Sequence, residues 1–213
     1  MTNDFMEFEN YKNELELIDN LNPYEEEMYL VLGYVIRACI SEEKLILRNV
    51  SADRQSVKLN TYNFMGESRF PDFVILSEAY NPFVGANREN PAESGIYGTV
   101  EIKLIGENLD KDNYIEHLRE YTEYFKKVIY TNGLEWRFYG WDENGNAAAV
   151  TYEENRENGE RNPEWAKRII LGKERAGKVV DEKTGKEKYI IDWEDVSAWE
   201  ELLKYLKSLK WKQ

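Results

Sequence analysis

Asp72, Glu101 and Lys103 are the residues of this 213-residue chain whose types and surroundings could do chemistry together. Glu101-Ile102-Lys103 lies within Thr99-Val100-Glu101-Ile102-Lys103-Leu104. The alternation there puts Val100, Ile102 and Leu104 on one strand face and Glu101 with Lys103 on the other. The same acid-any-Lys pattern occurs at Glu42-Glu43-Lys44 and Asp181-Glu182-Lys183, outside any strongly alternating strand. Asp72 follows Pro71 and opens a β-rich run in which Phe73–Leu76 reads as a buried strand. Two carboxylates on neighbouring strands can converge on one Mg²⁺, a hard cation that takes oxygen ligands and keeps several waters. The Ile102 carbonyl is a further candidate oxygen, and Lys103 would stand beside a water of that ion. Phosphodiester hydrolysis is the reaction such a set serves, with metal and ammonium neutralising the charge that grows on phosphorus oxygens.

The elements that must position these groups are legible on either side. Phe8, Tyr11, Leu15 and Ile18 recur at helical spacing, and a second helix, Tyr24 to Ile40, follows Pro23 and is apolar on nearly every side after Glu27. Pro, Gly and Asn mark Asn81 to Gly98 as a long loop leading into the Glu101 strand. Asp110 to Lys127 reads as a helix with the stripe Tyr114, Leu118, Tyr121 and Phe125. A strand at Val128-Ile129-Tyr130, a turn at Thr131-Asn132-Gly133 and a strand at Leu134–Tyr139 follow, then a turn at Asp142–Asn146 and the segment Ala147–Tyr152. The order predicts a mixed α/β domain over residues 1–152. Residues 153–213 form a C-terminal extension packed on the domain or on a partner. It comprises a linker, a short helix near Glu164–Leu171, a hairpin turning at Asp181–Gly185, and an amphipathic helix from Trp193 with Val196, Trp199, Leu203 and Leu206 on one side and Asp192 as its cap.

Composition narrows the chemistry further. Hydrophobic residues make up 42% of the chain and aromatics 14%, enough for a sizeable core. Cys39 stands alone, which excludes an internal disulfide and a cysteine-built zinc site and fits a cytoplasmic setting; His117 is also alone, which excludes multi-histidine metal sites. No membrane-spanning or signal-type apolar stretch is expected from the sequence. The net charge of −13 disfavours indiscriminate nucleic-acid binding without excluding a locally basic groove. Residues 1–30 carry net −8 and residues 161–188 net +4, so an anionic ligand should approach away from the N-terminal helix.

Pro71-Asp72, with 28 residues before Glu101-Ile102-Lys103, resembles the PD-(D/E)XK nucleases, most closely the N-terminal nuclease domain of type I restriction endonuclease R subunits. The resemblance runs over roughly residues 24–140, through Arg69–Leu76, Val100–Leu109 and Tyr130–Tyr139. It implies a restriction-endonuclease-like mixed central sheet of about four or more strands flanked by helices, Mg²⁺ dependence with Mn²⁺ able to substitute, and cleavage of DNA. Asp72 and Glu101 become metal ligands and Lys103 the catalytic lysine; Glu27, preferred to Glu25 and Glu26, becomes the helix acid of many relatives. Family members often carry Gln, three residues and Tyr after the catalytic strand. Tyr121 matches that Tyr, and His117 replaces the Gln while sharing its helix face, within reach of phosphate or a metal-bound water. Lys111, Arg119, Lys126 and Lys127 are the candidate phosphate-tracking residues. No Walker-type glycine loop occurs, so no ATP-driven translocation is expected. The setting implied is restriction, defence or phage biology, with a homodimer or larger complex as the possible assembly. The competing reading is a catalytically idle regulator or DNA mimic that turns its acidic surface to a basic protein.

Overall fold

The apolar stripes of the first two helices close against a central sheet. In the computed structural model, residues 7–21, 24–40, 44–51, 61–67, 69–154, 159–175, 177–180, 182, 185 and 187–212 are described. Pro23, Asp181, Lys183 and Thr184 lie outside them. Helix α1 (Phe8–Leu21) buries Phe8, Tyr11, Leu15 and Ile18, and α2 (Glu25–Ile40) buries most of its length after Glu27. The strands β1 (Leu45–Asn49), β2 (Phe73–Ser77), β3 (Ile96–Ile102), β4 (Val128–Thr131) and β5 (Glu135–Tyr139) lie side by side in that order. Only β3 and β4 run parallel, because α3 (Asp112–Phe125) returns the chain between them; the other pairs are antiparallel. No helix among the described residues is long and apolar enough to cross a membrane.

Period-two alternation gives the sheet two faces. Phe73, Ile75, Val100, Ile102, Ile129, Trp136 and Phe138 belong to the core formed with α1, α2 and α4 (Val196–Ser208). Val74, Leu76, Val128, Tyr130 and Tyr139 belong to the core under α3, with Leu118, Tyr121, Tyr124 and Phe125. Burying Val100 and Ile102 completely contributes about 1.5–3 kcal/mol each, which fixes the register of β3 and sends Glu101 and Lys103 to the α3 side. Gly98 is required for that placement. A Cβ there would lie 2.6 Å from the Trp211 ring and 2.7 Å from the Lys127 carbonyl. Gly133, at φ +83°, closes the β4–β5 turn, and Asn132 Oδ1 accepts from the amides of Leu134 and Glu135 at 3.0 and 2.8 Å.

Residues after 152 are woven into the same body. A hairpin of β6 (Thr151–Glu154) and β7 (Arg161–Glu164) leads to β8 (Lys167–Ile170), which pairs with β5 and becomes the sixth strand of the sheet. The helix expected near Glu164–Leu171 is therefore a strand. Ile169 and Ile170 are β-branched, and the open edge of β5 offers the segment a hydrogen-bond ladder. Beyond it, β9 (Gly172–Glu174) pairs antiparallel with β12 (Ile191–Trp193), and β10 (Val179–Val180) antiparallel with β11 (Glu187–Lys188). Helix α4 is capped by Asp195, whose carboxylate accepts the Ser197 amide at 2.8 Å; Asp192, the expected cap, lies in β12 and pairs with Arg175. Trp199 of α4 stacks with Phe8 and Tyr11 of α1.

Candidate active site

The start of β2 and the end of β3 are adjacent strand ends, and that adjacency brings the two acids together. Phe73 pairs with Val100, so Asp72, one residue earlier in the antiparallel partner, comes alongside Glu101. The Val50 amide donates to the Asp72 carbonyl at 2.9 Å, extending the β1–β2 ladder through this residue. The Asp72 side chain is 1% exposed and held from two directions. Its Oδ2 accepts the Ile102 amide at 2.7 Å, and its Oδ1 accepts the Tyr29 hydroxyl of α2 at 2.5 Å. Ile102 thus enters the site through its N–H.

Glu101 and Lys103 are also buried and form an ion pair through Glu101 Oε1. Glu101 Oε2 is buried with no hydrogen-bond partner. Burial pushes the Glu101 carboxyl well above the usual carboxylate range, the Asp72 carboxylate pushes it further, and Lys103 opposes both. Burial works against the Lys103 ammonium, but Glu101 and Asp72 outweigh it and its proton is held more tightly than in water. Lys103 Nζ also lies 4.9 Å from the centre of the Tyr114 ring, a cation–π contact from the first turn of α3. When both buried carboxylates are ionised, the single ammonium leaves a net negative charge, which a proton on Glu101 or a bound cation would relieve.

The donors fit such an ion. They are all oxygens, the set a hard cation takes, and Glu101 Oε2 is a buried acceptor with nothing donating to it. Among the described residues no cluster of three or more His, Cys, Asp or Glu is arranged to hold a metal. Two protein carboxylates suit Mg²⁺, which usually keeps several of its waters.

The other expected site residues are placed differently. Glu27 is exposed; it lies about 200° around α2 from both Glu25 and Tyr29, and so points away from the site. Glu25, one turn before Tyr29 on the same face, is the acid whose charge acts on Glu101, Lys103 and Tyr29. Tyr121 is buried and donates to the Phe70 carbonyl at 3.1 Å, which anchors the segment entering Asp72. His117 is half-buried, one turn before Tyr121 on α3. The four basic residues proposed to track phosphates are engaged by the protein. Lys111 pairs with Glu107, and Lys126 donates to the Glu123 carbonyl at 2.5 Å. Arg119 binds Glu160 at 2.7 Å and the Arg161 carbonyl at 3.0 Å, and the buried Lys127 donates to the Trp211 carbonyl at 2.7 Å.

Sequence reasoning missed Tyr29 and Tyr114, which touch the site, and a second ionic cluster on the same sheet face. Arg137 of β5 is 2% exposed and makes two hydrogen bonds to Asp110, at 2.6 and 3.0 Å, and one to Glu135 at 2.5 Å. It lies beneath a cavity of about 930 Å³ between α3 and the β6–β7 hairpin, whose wall includes Asp112, Glu116, Arg119, Glu164 and Trp165. The helical phase of α2 could have flagged Tyr29, four residues after Glu25; nothing local marks Arg137.

No protein-family model, curated protein or solved structure matches the chain.

Proposed function

We propose that this protein is a Mg²⁺-dependent nuclease of the PD-(D/E)XK type that hydrolyses phosphodiester bonds in DNA. The observation that carries the reading is Glu101 Oε2, a buried carboxylate oxygen without a donor, set beside a second buried carboxylate and an ammonium. The fold also supports it: the resemblance implies a mixed central sheet of about four or more strands flanked by helices, and the chain has a six-stranded mixed sheet with helices on both faces.

Asp72 and Glu101 would hold the ion, with the Ile102 carbonyl as the further oxygen suggested by the sequence. When bound, Mg²⁺ supplies Lewis acidity to the scissile phosphate and acidifies a coordinated water. Lys103 carries a fixed positive charge to the same point, where it stabilises negative charge developing on the phosphate oxygens. Glu101 keeps that ammonium oriented, and burial removes the water that would otherwise screen it. Mn²⁺ is expected to replace Mg²⁺, since both take oxygen ligands.

Incubation of plasmid, single-stranded DNA and RNA with Mg²⁺ or Mn²⁺ tests the reading. Metal-dependent cutting of DNA that falls by about 10²–10³-fold in Lys103→Ala is the expected result, the size seen when one charge-stabilising donor is removed. Wild-type protein that leaves every polynucleotide intact would reject it.

A second reading, a regulator that binds a basic protein, is favoured by one specific feature. The cavity beside α3 is walled by Asp110, Asp112, Glu116, Glu153, Glu160 and Glu164, while its two arginines, Arg119 and Arg137, already hold acids of the chain. That surface suits a cationic partner and repels a phosphate backbone.

A further inference from the structure

Among the described residues, the Tyr29 hydroxyl reaches an acid of the site from a helix on the other side of the sheet. It projects from the second turn of α2, is 8% exposed, and packs edge-on against Phe73 with ring centres 5.5 Å apart. That packing leaves the phenol little freedom and aims its hydroxyl at Asp72 Oδ1, 2.5 Å away. The other oxygen, Oδ2, is taken by the Ile102 amide at 2.7 Å. One carboxylate is therefore tethered at both oxygens by donors from two different elements, a helix and the catalytic strand. Each carboxylate oxygen has two lone-pair directions. With a donor on each oxygen, the plane of the carboxylate is set relative to Glu101.

We infer that Tyr29 is a positioning residue for metal binding: its hydroxyl orients the Asp72 carboxylate so that Asp72 and Glu101 present oxygens to the same cation. The inference rests on the nuclease reading of the site, and it replaces the helix acid suggested by the sequence with a helix hydrogen-bond donor. Donors that orient metal-ligating groups typically change metal affinity or activity by about 10–100-fold when removed. A hydroxyl serving only to satisfy a buried carboxylate would alter folding stability and leave the affinity of the folded protein for metal unchanged.

The test is Mn²⁺ binding to the full chain, read by electron paramagnetic resonance of the free ion, for wild type, Tyr29→Phe and Tyr34→Phe. Tyr34 lies on the half-exposed side of the same helix and controls for loss of a phenol hydroxyl from α2. The expected result is Mn²⁺ affinity about 10–100-fold weaker in Tyr29→Phe, unchanged in Tyr34→Phe, and a DNA-cleavage rate in Tyr29→Phe that recovers toward wild type at saturating metal. Tyr29→Phe that folds and binds Mn²⁺ as wild type does overturns the inference and leaves the nuclease reading standing. Wild type that binds no Mn²⁺ overturns both. Should Tyr29→Phe fail to fold, the near-ultraviolet tyrosine difference spectrum on adding Mg²⁺ decides the matter in wild type and Asp72→Asn. A signal in wild type that is lost in Asp72→Asn supports the role, and its absence from wild type overturns it.

Discussion

Two ionic clusters, each centred on a buried charged side chain, share one face of the sheet, and they are built on opposite principles. Glu101 pairs in register with Tyr130, Tyr130 with Arg137 and Arg137 with Arg168, so a single transverse row runs from one cluster to the other. At the β5–β8 end, Arg137 is bound by Asp110 and Glu135, Arg168 binds Glu135 at 2.7 and 3.0 Å, and Trp165 lies 4.7 Å from the Arg137 guanidinium. Two cations meet two carboxylates and the charge cancels. At the β2–β3 end, two carboxylates meet one ammonium, and one carboxylate oxygen is left without a donor. A closed cluster is accounted for by the fold alone. With both its carboxylates ionised, an open one holds a charge deficit that a proton on Glu101 or a divalent cation would remove.

Removing one charged group from each cluster, the Arg137 cation and the Glu101 carboxylate, has the largest expected effect. Arg137→Ala strips a buried guanidinium from Asp110 and Glu135 and should lower stability by about 3 kcal/mol, toward the lower end for a buried pair because Asp110 is partly solvated. Glu101→Gln removes the repulsion with Asp72 while weakening the Lys103 pair, and its metal-free stability should stay within about 1 kcal/mol of wild type. Chemical denaturation of both variants measures this. A large loss in Glu101→Gln would show that the site is held together as a structural cluster.

Proton competition sharpens the contrast. The Glu101 carboxyl is pushed up to about 8 by burial and by Asp72, and a cation needs it ionised. Mn²⁺ affinity should therefore rise about tenfold per pH unit from pH 6 to about 8 and level off above, roughly 100-fold in all. Asp110 and Glu135, held below the usual carboxylate range, titrate well outside that window. A flat profile over the same range would remove Glu101 from the binding event.

The smallest effect separates an orphaned acid from a site. Asp19 Oδ2 is also buried with no hydrogen-bond partner, and burial, with Glu174 and Glu16 nearby, pushes its carboxyl up to about 6. The folded protein binds this proton more tightly than the unfolded chain, so stability falls as pH rises from about 4 to 6 and the loss persists above. Asp19→Asn should be more stable than wild type at pH 7 by about 1–2 kcal/mol, discounted for partial solvation, and equal to it at pH 4. Thermal unfolding at the two pH values reads the difference. Mn²⁺ affinity should not change, because Asp19 belongs to α1 and is not one of the two acids that would hold the ion.

Legibility in the sequence followed the range of the forces involved. The β3 alternation and the α3 stripe are local periodicities, and they put Glu101, Lys103 and Tyr121 on the faces where the structure has them. Asp72 beside Glu101 depended on strand pairing, which the sequence offered only as two β-rich runs that could be neighbours. Tyr29 was hidden because a buried aromatic in an apolar helix gives no sign of where its hydroxyl points. Glu27 was preferred to Glu25 by nearness to the buried run, yet helical phase decides which acid faces the sheet. Lys127 and Arg119 read as a solvated basic face until the C-terminal segment and the loop before β7 covered them. The strand β8 exists because β5 presents an edge, a fact absent from residues 164–171 themselves.

Under the proposed function, Asp72 and Glu101 hold one divalent cation beside Lys103. The most direct test is an anomalous-difference map from a crystal of the full chain grown or soaked with Mn²⁺. A single peak within about 2.0–2.4 Å of an oxygen of each carboxylate is the result predicted; a map with full Mn²⁺ occupancy elsewhere and nothing between those two side chains would contradict it.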